Sequence, residues 1–442
     1  MVLDQYTQNI IIKNSKELVK NAQINSKNGY IESISSLSPI NTSDNLGKKQ
    51  IISAGFINLH AHLAYTNLNL NSKKLFSWLK DLMKEINDDN FEAESASISG
   101  AKMALASGTT FLIDNTSHFN ASLKAFSNTK LRGIIALELF GSDGTQAKNI
   151  LDNALKIIEA NKLLFTQNFK VALAPHSLYS VSPELLIEIT KYLQDLESSP
   201  FKDILEAMIF MHFAEDELEE KYFKQSNLTE TNLELDLMLN FWQSLGLLDL
   251  KKKHFKSALS SWDYLKRYYI ESLEVPSRML LTHVINLSES EIQELSTFKN
   301  FALVSCPRSN EFLLHNKAAV DLWEAYALDY ALGTDSKASN FDLDLRLELK
   351  ALLKRLNNPG LLDPCRQFEL LTSSAAKAIG KEHEIGSLEP NKYADYVIFE
   401  LLDDSLDLDS INPYLAVLDP ELTRVSEVYV GGDLVYKDLV AN

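Results

Sequence analysis

The run Ile51-Ile52-Ser53-Ala54-Gly55-Phe56-Ile57-Asn58-Leu59-His60-Ala61-His62 ends an apolar stretch in two histidines one residue apart. On extended backbone, side chains at i and i+2 leave the same face, so His60 and His62 point together. A divalent cation needs several neutral imidazoles or carboxylates converging on one point, and a strand end holds two of them with little backbone freedom to lose. Alone, such a pair is more often an ordinary polar strand end. Here further candidates follow in order, each at the carboxyl end of an apolar run: Phe169–Pro175 leads to His176, Ala207–Met211 to His212 with Glu215 three residues on, Arg278–Thr282 to His283, and Ala327–Thr334 to Asp335. Five of the nine histidines thus fall at strand ends or exits. A barrel of parallel strands gathers every such end on one face, so the spacing argues for one shared site.

The elements that must position these residues can be read from the same pattern. Residues 54 to 384 alternate apolar strands with helical periodicity, as a (β/α)8 barrel requires, and 442 residues fit such a barrel with insertions. Residues 8 to 53 read as short strands separated by Asn, Ser and Gly turns, and the C-terminal part reads likewise, with Gly431-Gly432 between two alternating runs as a hairpin signal. Residues 216 to 275 carry helical periodicity and no strand, more chain than one connecting helix needs. This excursion follows a strand that carries a candidate ligand, which places it near the mouth of the barrel, as a lid or as packing or a subunit contact.

Composition narrows the partners. With 43 Lys and Arg against 60 Asp and Glu, the formal charge of −17 opposes general attraction to nucleic acid or to an anionic membrane surface, and leaves a small-molecule substrate as the expectation. Cys306 and Cys365 are the only cysteines, so no disulfide framework is expected and a reducing cytoplasm is the natural compartment. Met1 to Ser15 lack the basic start and apolar core of a secretory leader. No run reaches the roughly eighteen apolar residues of a membrane span.

The segments Gly55–His62, His212-Phe213-Ala214-Glu215, the His283 strand, Cys306-Pro307-Arg308-Ser309-Asn310 and Gly333–Asn340 together resemble the amidohydrolase superfamily. The branch they resemble is that of metal-dependent aminohydrolases, which includes adenosine-analogue, guanine and cytosine deaminases and triazine hydrolases. Ile385–Val397 is similar to the family's closing strand motif. The resemblance implies a (β/α)8 barrel over 54–384, with residues 1–53 and 385–442 packing together as a small β-sandwich. A homodimer is also a family expectation.

The resemblance further implies that His60, His62, His212 and Asp335 ligate one divalent metal, leaving a position for water. Three imidazoles and a carboxylate suit zinc or iron(II), and zinc is the expectation for hydrolysis because it has no redox chemistry. The bound ion would bring the pKa of water from about 15.7 toward about 7. Attack on a ring carbon bearing an amino group then requires a proton carrier, because ammonia leaves poorly unprotonated. Glu215 answers this need, taking the proton from water and passing it to the ring nitrogen and the leaving amine, with Asp335 able to act from the other side. His283 is expected to orient the water or polarise the substrate, and His176 to touch substrate. His118, His254, His315 and His383 lie on polar or loop-like segments and are expected to have no role in the site. Cys306 reads as a packed small residue. Arg308, after the seventh strand of the barrel, could face the pocket and pair with a substrate carboxylate or phosphate.

Leu75–Leu82, containing Phe76 and Trp78, and Leu137–Gly141, containing Glu138, resemble the subgroup of aminodeoxyfutalosine deaminases, which act in the menaquinone route through futalosine. Phe76 and Trp78 could wall an aromatic ligand, and Glu138 could reach the pocket. That subgroup commonly carries a glutamate two residues after the second metal histidine, where this chain has Ala64. That departure leaves the metal site intact but bears on the substrate, and an adenine nucleoside of the 6-amino-6-deoxyfutalosine type remains the first expectation. Methylthioadenosine, adenosylhomocysteine or guanine deamination and triazine hydrolysis follow, and a catalytically silent scaffold is the alternative of a different class. A binuclear hydrolase would need a bridging lysine, which the strand ending Leu137-Glu138-Leu139-Phe140 does not offer.

Overall fold

The computed structural model describes residues 8–36, 49–224, 233–244, 259–271, 278–403 and 405–439. Five strands come first: β1 (Gln8–Asn14), β2 (Glu17–Lys20), β3 (Ala22–Lys27), β4 (Tyr30–Ser36) and β5 (Lys49–Ala54). Eight parallel strands then follow in spatial as well as sequential order: β6 (Phe56–Ala61), β7 (Thr109–Thr116), β8 (Arg132–Leu139), β9 (Phe169–Pro175), β10 (Leu205–Phe213), β11 (Arg278–His283), β12 (Phe301–Ser305) and β13 (Tyr330–Leu332). Both faces of these strands are covered, which is why they read as nearly continuous apolar runs.

Alternation along each strand still sorts its residues. Ile57, Ile113, Ile134, Ala172, Phe210, Leu280 and Val304 point inward and form the barrel's own core. Their neighbours Leu112, Ile135, Leu173, Met211 and Leu303 point outward to the helices. The barrel closes where the backbone N–H groups of Thr334 and Asp335 both donate to the His60 carbonyl at 3.0 Å. Gly333 permits this approach, because a Cβ there would lie 2.7 Å from the Cβ of His60.

The chain ends build the second layer. With β14 (Tyr396–Leu401), β15 (Thr423–Val430) and β16 (Asp433–Lys437), they form a six-stranded sheet of order β16-β15-β14-β5-β1-β2, while β3 pairs with β4. Ile11, Ile52 and Ile398 of the large sheet pack against Ile24 and Ile31 of the small one. On the opposite face Ile10, Ile12, Ile51, Val397 and Phe399 join the core outside the barrel. The expected hairpin is present between β15 and β16, with Gly431 and Gly432 at φ of 58° and 78°.

Within the excursion after β10 the described residues are helical: Glu217–Phe223, Leu233–Ser244, Ser261–Leu265 and a π-turn over Lys266–Ile270. Met238 packs with Phe76 and Trp78, and Trp262 and Tyr269 sink into the outer core. One described helix of the segment thus packs against Phe76 and Trp78, and another part packs on the outside of the barrel. Among the described residues, no helix is long and apolar enough to cross a membrane.

Candidate active site and metal centre

Continuing the inward alternation of each strand by one more step carries Asn115, Glu138, His176 and His212 onto the same face at the carboxyl end of the barrel. The other site residues arrive by breaking that alternation. Ala214, His283 and Asp335 have φ of 48°, 75° and 58°, left-handed values that non-glycine residues adopt at a cost of roughly 1–3 kcal/mol each. These turns deliver Glu215, the His283 ring and the Asp335 carboxylate to the same space.

The cluster is tight and buried. His62 Nε2 lies 3.2 Å from His212 Nε2, and Asp335 Oδ1 lies 3.6 Å from His62 Nε2 and 3.8 Å from His60 Nε2. Each ring is held from behind. His212 Nδ1 donates to the His176 carbonyl at 3.1 Å, which leaves its Nε2 lone pair facing the cluster. The Asn115 amide sits 2.8 Å from His60 Nδ1, and the His60 Nε2 is buried without a hydrogen-bond partner. Asp335 Oδ2 accepts from Ser309 Oγ at 2.5 Å and Ser339 Oγ at 3.1 Å, while Oδ1 accepts from the Ser336 N–H at 2.6 Å. Burial and then the neighbouring histidines hold His60 well below the ordinary imidazole range and bring His212 down to about 4. Neutral imidazoles with inward lone pairs and an orphaned, buried ring nitrogen are the donor set a divalent cation requires. His60, His62 and Asp335 offer ligand atoms within 4.8 Å of one another, as do His60, His212 and His283, and also His62, Glu138 and His212. The residues present fit a metal.

Beside this cluster opens a cavity of about 220 Å³. Its polar end carries His62, Glu138, His176, His212, Glu215, His283 and Asp335, and its far wall is apolar, formed by Leu75, Trp78, Leu79, Leu82, Met83 and Ile86 with Phe140, Tyr179, Phe241 and Leu313. The helix Leu75–Ile86 thus turns one face to the cavity, and the Trp78 indole N–H is satisfied by the Ala338 carbonyl at 3.1 Å. His176 stacks on Phe140 with ring centroids 4.6 Å apart, and its Nδ1 is 2.9 Å from Ser180 Oγ. Burial raises the Glu138 carboxyl to about 7, and its Oε1, 4.0 Å from His62 Nδ1, has no hydrogen-bond partner. Glu215 behaves oppositely. Burial alone would raise its carboxyl, but His283 at 3.6 Å and His315 at 3.5 Å hold it below the usual carboxylate range. His283 in turn donates from Nδ1 to Asn310 Oδ1 at 3.0 Å.

Nine of the residues singled out in the sequence therefore converge, whereas Arg308 and Phe76 do not. Arg308 lies outside this cavity, along a broader surface groove with Phe341 and Lys350. Its guanidinium is engaged by both Asp342 oxygens at 2.7 and 3.0 Å, and its backbone N–H donates to Glu348, so the fork expected to meet a substrate anion is already filled. Phe76 is likewise buried behind Trp78 rather than walling the cavity. Conversely, His315, expected to have no role, is buried against Glu215 and Asp216. His118 packs on Tyr65 and Phe91, His383 is exposed, and His254 lies outside the described residues. Burial pushes the Cys306 thiol well up, as befits a packed residue. Asn115 and Tyr65, missed in the sequence, follow a rule that could have found them, since each falls within four residues of a strand end on the site face.

Fold and site together give a parallel barrel whose carboxyl end carries a cluster of histidines and carboxylates that could hold a metal ion. Residues 51–435 match the amidohydrolase family, and the chain belongs to that family. The 5-methylthioadenosine/S-adenosylhomocysteine deaminase of Teredinibacter turnerae is 26% identical over 405 residues, spanning 88% of this chain and 80% of that protein. The 5′-deoxyadenosine deaminase of Methanosphaera stadtmanae is 26% identical over 416 residues, spanning 89% and 85%. In fold, the chain is similar to Helicobacter pylori aminofutalosine deaminase in complex with methylthio-coformycin, with a TM-score of 0.73 at 21% identity over 97% of this chain and 99% of that one.

Proposed function

We propose that this chain is a metal-dependent hydrolytic deaminase that converts the adenine of a 5′-modified nucleoside to hypoxanthine and releases ammonia. The observation that carries the reading is Glu215, a buried carboxylate kept ionised beside His283 at the edge of the cluster formed by His60, His62, His212 and Asp335. His60, His62, His212 and Asp335 would hold a single cation, zinc by the chemistry of the donor set. When bound, such a cation supplies the acidity that brings the pKa of water from about 15.7 toward about 7.

The chain's own residues account for the proton traffic. Glu215 takes one proton from the attacking water and delivers it to N1 of the ring; the second reaches the amine. The C6–O bond forms, the C6–N bond breaks, and ammonia leaves as the lactam forms. His283, fixed by Asn310, hydrogen-bonds the oxygen being added to C6. Glu138, with an unpartnered Oε1, is placed to hydrogen-bond a substrate hydroxyl, and His176 on Phe140 to flank the substrate.

The apolar wall bears on the 5′ group. The face Leu75, Trp78, Leu79, Leu82, Met83 and Ile86 favours an uncharged substituent, and among the described residues no lysine or arginine lines the cavity. This supports a short thioether or deoxy substituent ahead of the zwitterionic arm of adenosylhomocysteine. A futalosine-type substrate is the second reading, favoured by Phe140 and Phe241 as ring-stacking surfaces. The test is ammonia release by the zinc-loaded protein from 5′-deoxyadenosine, 5-methylthioadenosine, adenosylhomocysteine, 6-amino-6-deoxyfutalosine, guanine and an aminotriazine. The highest kcat/KM is expected on an adenine nucleoside with an uncharged 5′ group, and silence on every aminated heterocycle would overturn the assignment.

A further inference from the structure

Glu215 has two sides. One faces the cavity described above, and the other faces a separate cavity of about 180 Å³ whose lining includes Lys74, Asp216, Glu234, Asn286 and His315. Between them stands the imidazole of His315, only 5% exposed, with Nε2 3.5 Å from Glu215 Oε1 and Nδ1 3.6 Å from Asp216 Oδ2. Its backbone is fixed at both ends: the N–H donates to the Asn310 carbonyl at 2.8 Å, and the carbonyl accepts from Arg355 at 3.5 Å. Leu314, in the left-handed region at φ 59°, turns the chain so that His315 enters the interior. Three further contacts converge on the same corner. The Asn286 amide donates to the carbonyls of Ala214 and Glu215, and Asp216 Oδ1 accepts from the Leu218 N–H at 2.7 Å. The backbone carrying Glu215 is therefore pinned, and its side chain is held from the rear by one ring.

We propose that His315 is a positioning residue, anchored by Asp216, that keeps the Glu215 carboxylate aimed into the substrate cavity. The proposal rests on the reading of Glu215 as the proton carrier and goes beyond it by assigning a partner on the side the substrate never touches. The ring lines the second cavity and not the first, which sets it back from the substrate. Its effect must then travel through Glu215. A carboxylate released from that contact would sample rotamers that leave the reacting proton out of reach, and a displacement of about 1 Å is enough to cost on the order of a hundredfold in rate.

The test is a double-variant cycle on the zinc-loaded full chain. His315→Ala is expected to lower kcat by about tenfold to about a hundredfold with KM within about threefold of the parent and metal content unchanged. His315→Gln, which retains an N–H to meet Glu215, is expected to regain most of that loss, and it carries the test if the alanine variant fails to fold. In a Glu215→Gln background either His315 change should cost nothing further, because its only route to the chemistry is gone. Multiplicative losses in the double variant, or a parental kcat in both single His315 variants, would overturn the assignment. The reading beneath it fails separately, by Glu215→Gln keeping full activity.

Discussion

Protons compete with a cation for the imidazole lone pairs, so the pH at which each ring charges sets the pH at which metal is lost. His212 is brought down to about 4, and His60 and His176 move in the same direction, in each case by burial first and by neighbouring histidines second. A ligand whose pKa is lowered stays deprotonated to lower pH, which shifts metal release downward from the ordinary histidine value of about 6.5. Zinc measured after dialysis across a pH series should be retained through 6.5 and fall as the value for His212 is approached. Half-loss at or above pH 6.5 would show that these rings are not held as the buried cluster holds them. The residues of this cluster were legible in the sequence because each lies at or within three residues of the carboxyl end of an apolar strand. Arg308 was misread and His315 overlooked for a common reason: both lie beyond the end of β12, Arg308 in the short helix Pro307–Phe312 and His315 just after it, where offset from a strand no longer fixes direction. There the partner decides, Asp342 drawing Arg308 outward and Glu215 with Asp216 receiving His315.

Strand packing carries the site at the next scale. The first and last barrel strands meet where His60, a proposed metal ligand, also supplies the closing carbonyl to Thr334 and Asp335. Asn58 reinforces the seam, its amide donating to Thr334 Oγ1 at 2.8 Å and accepting from the Thr334 N–H at 3.2 Å. Gly333 sits in that seam with no room for a side chain, since an added Cβ would also come within 2.9 Å of the His60 backbone oxygen. Gly333→Ala should therefore push β13 from β6 and separate Asp335 from His60. The expected result is a stability loss of about 1–3 kcal/mol by denaturant melt together with reduced zinc content. Unaltered metal content would mean that the seam relaxes without moving the ligands. The strands themselves were readable from alternation and apolar runs. The left-handed turns at Ala214, His283 and Asp335 were not, because propensity disfavours that conformation at such residues and only the converging site compensates for it.

At the scale of the whole molecule, the C-terminal strands are tied to the base of the barrel by a buried ion pair. Arg132, at the start of β8, reaches both carboxylate oxygens of Asp395, just before β14, and its guanidinium lies 3.6 Å from the centre of the Tyr393 ring. Asp395 also accepts from the Gly431 N–H at 2.7 Å, so this carboxylate joins the barrel, β14 and the β15–β16 hairpin at one point. The Asp395 carboxylate was visible in the sequence only as part of the closing motif, since nothing in a linear pattern pairs positions 263 residues apart. Both side chains are about 5% exposed or less, so removing one partner strands a charge away from water. Arg132→Ala should cost about 3–5 kcal/mol, with the terminal sheets and the barrel losing structure in a single transition because they share that core. Proteolysis at intermediate denaturant, read by mass spectrometry, separates the outcomes. Simultaneous cleavage in both layers is expected, whereas release of the terminal strands from an intact barrel that still binds zinc would mean that the ion pair does not couple them.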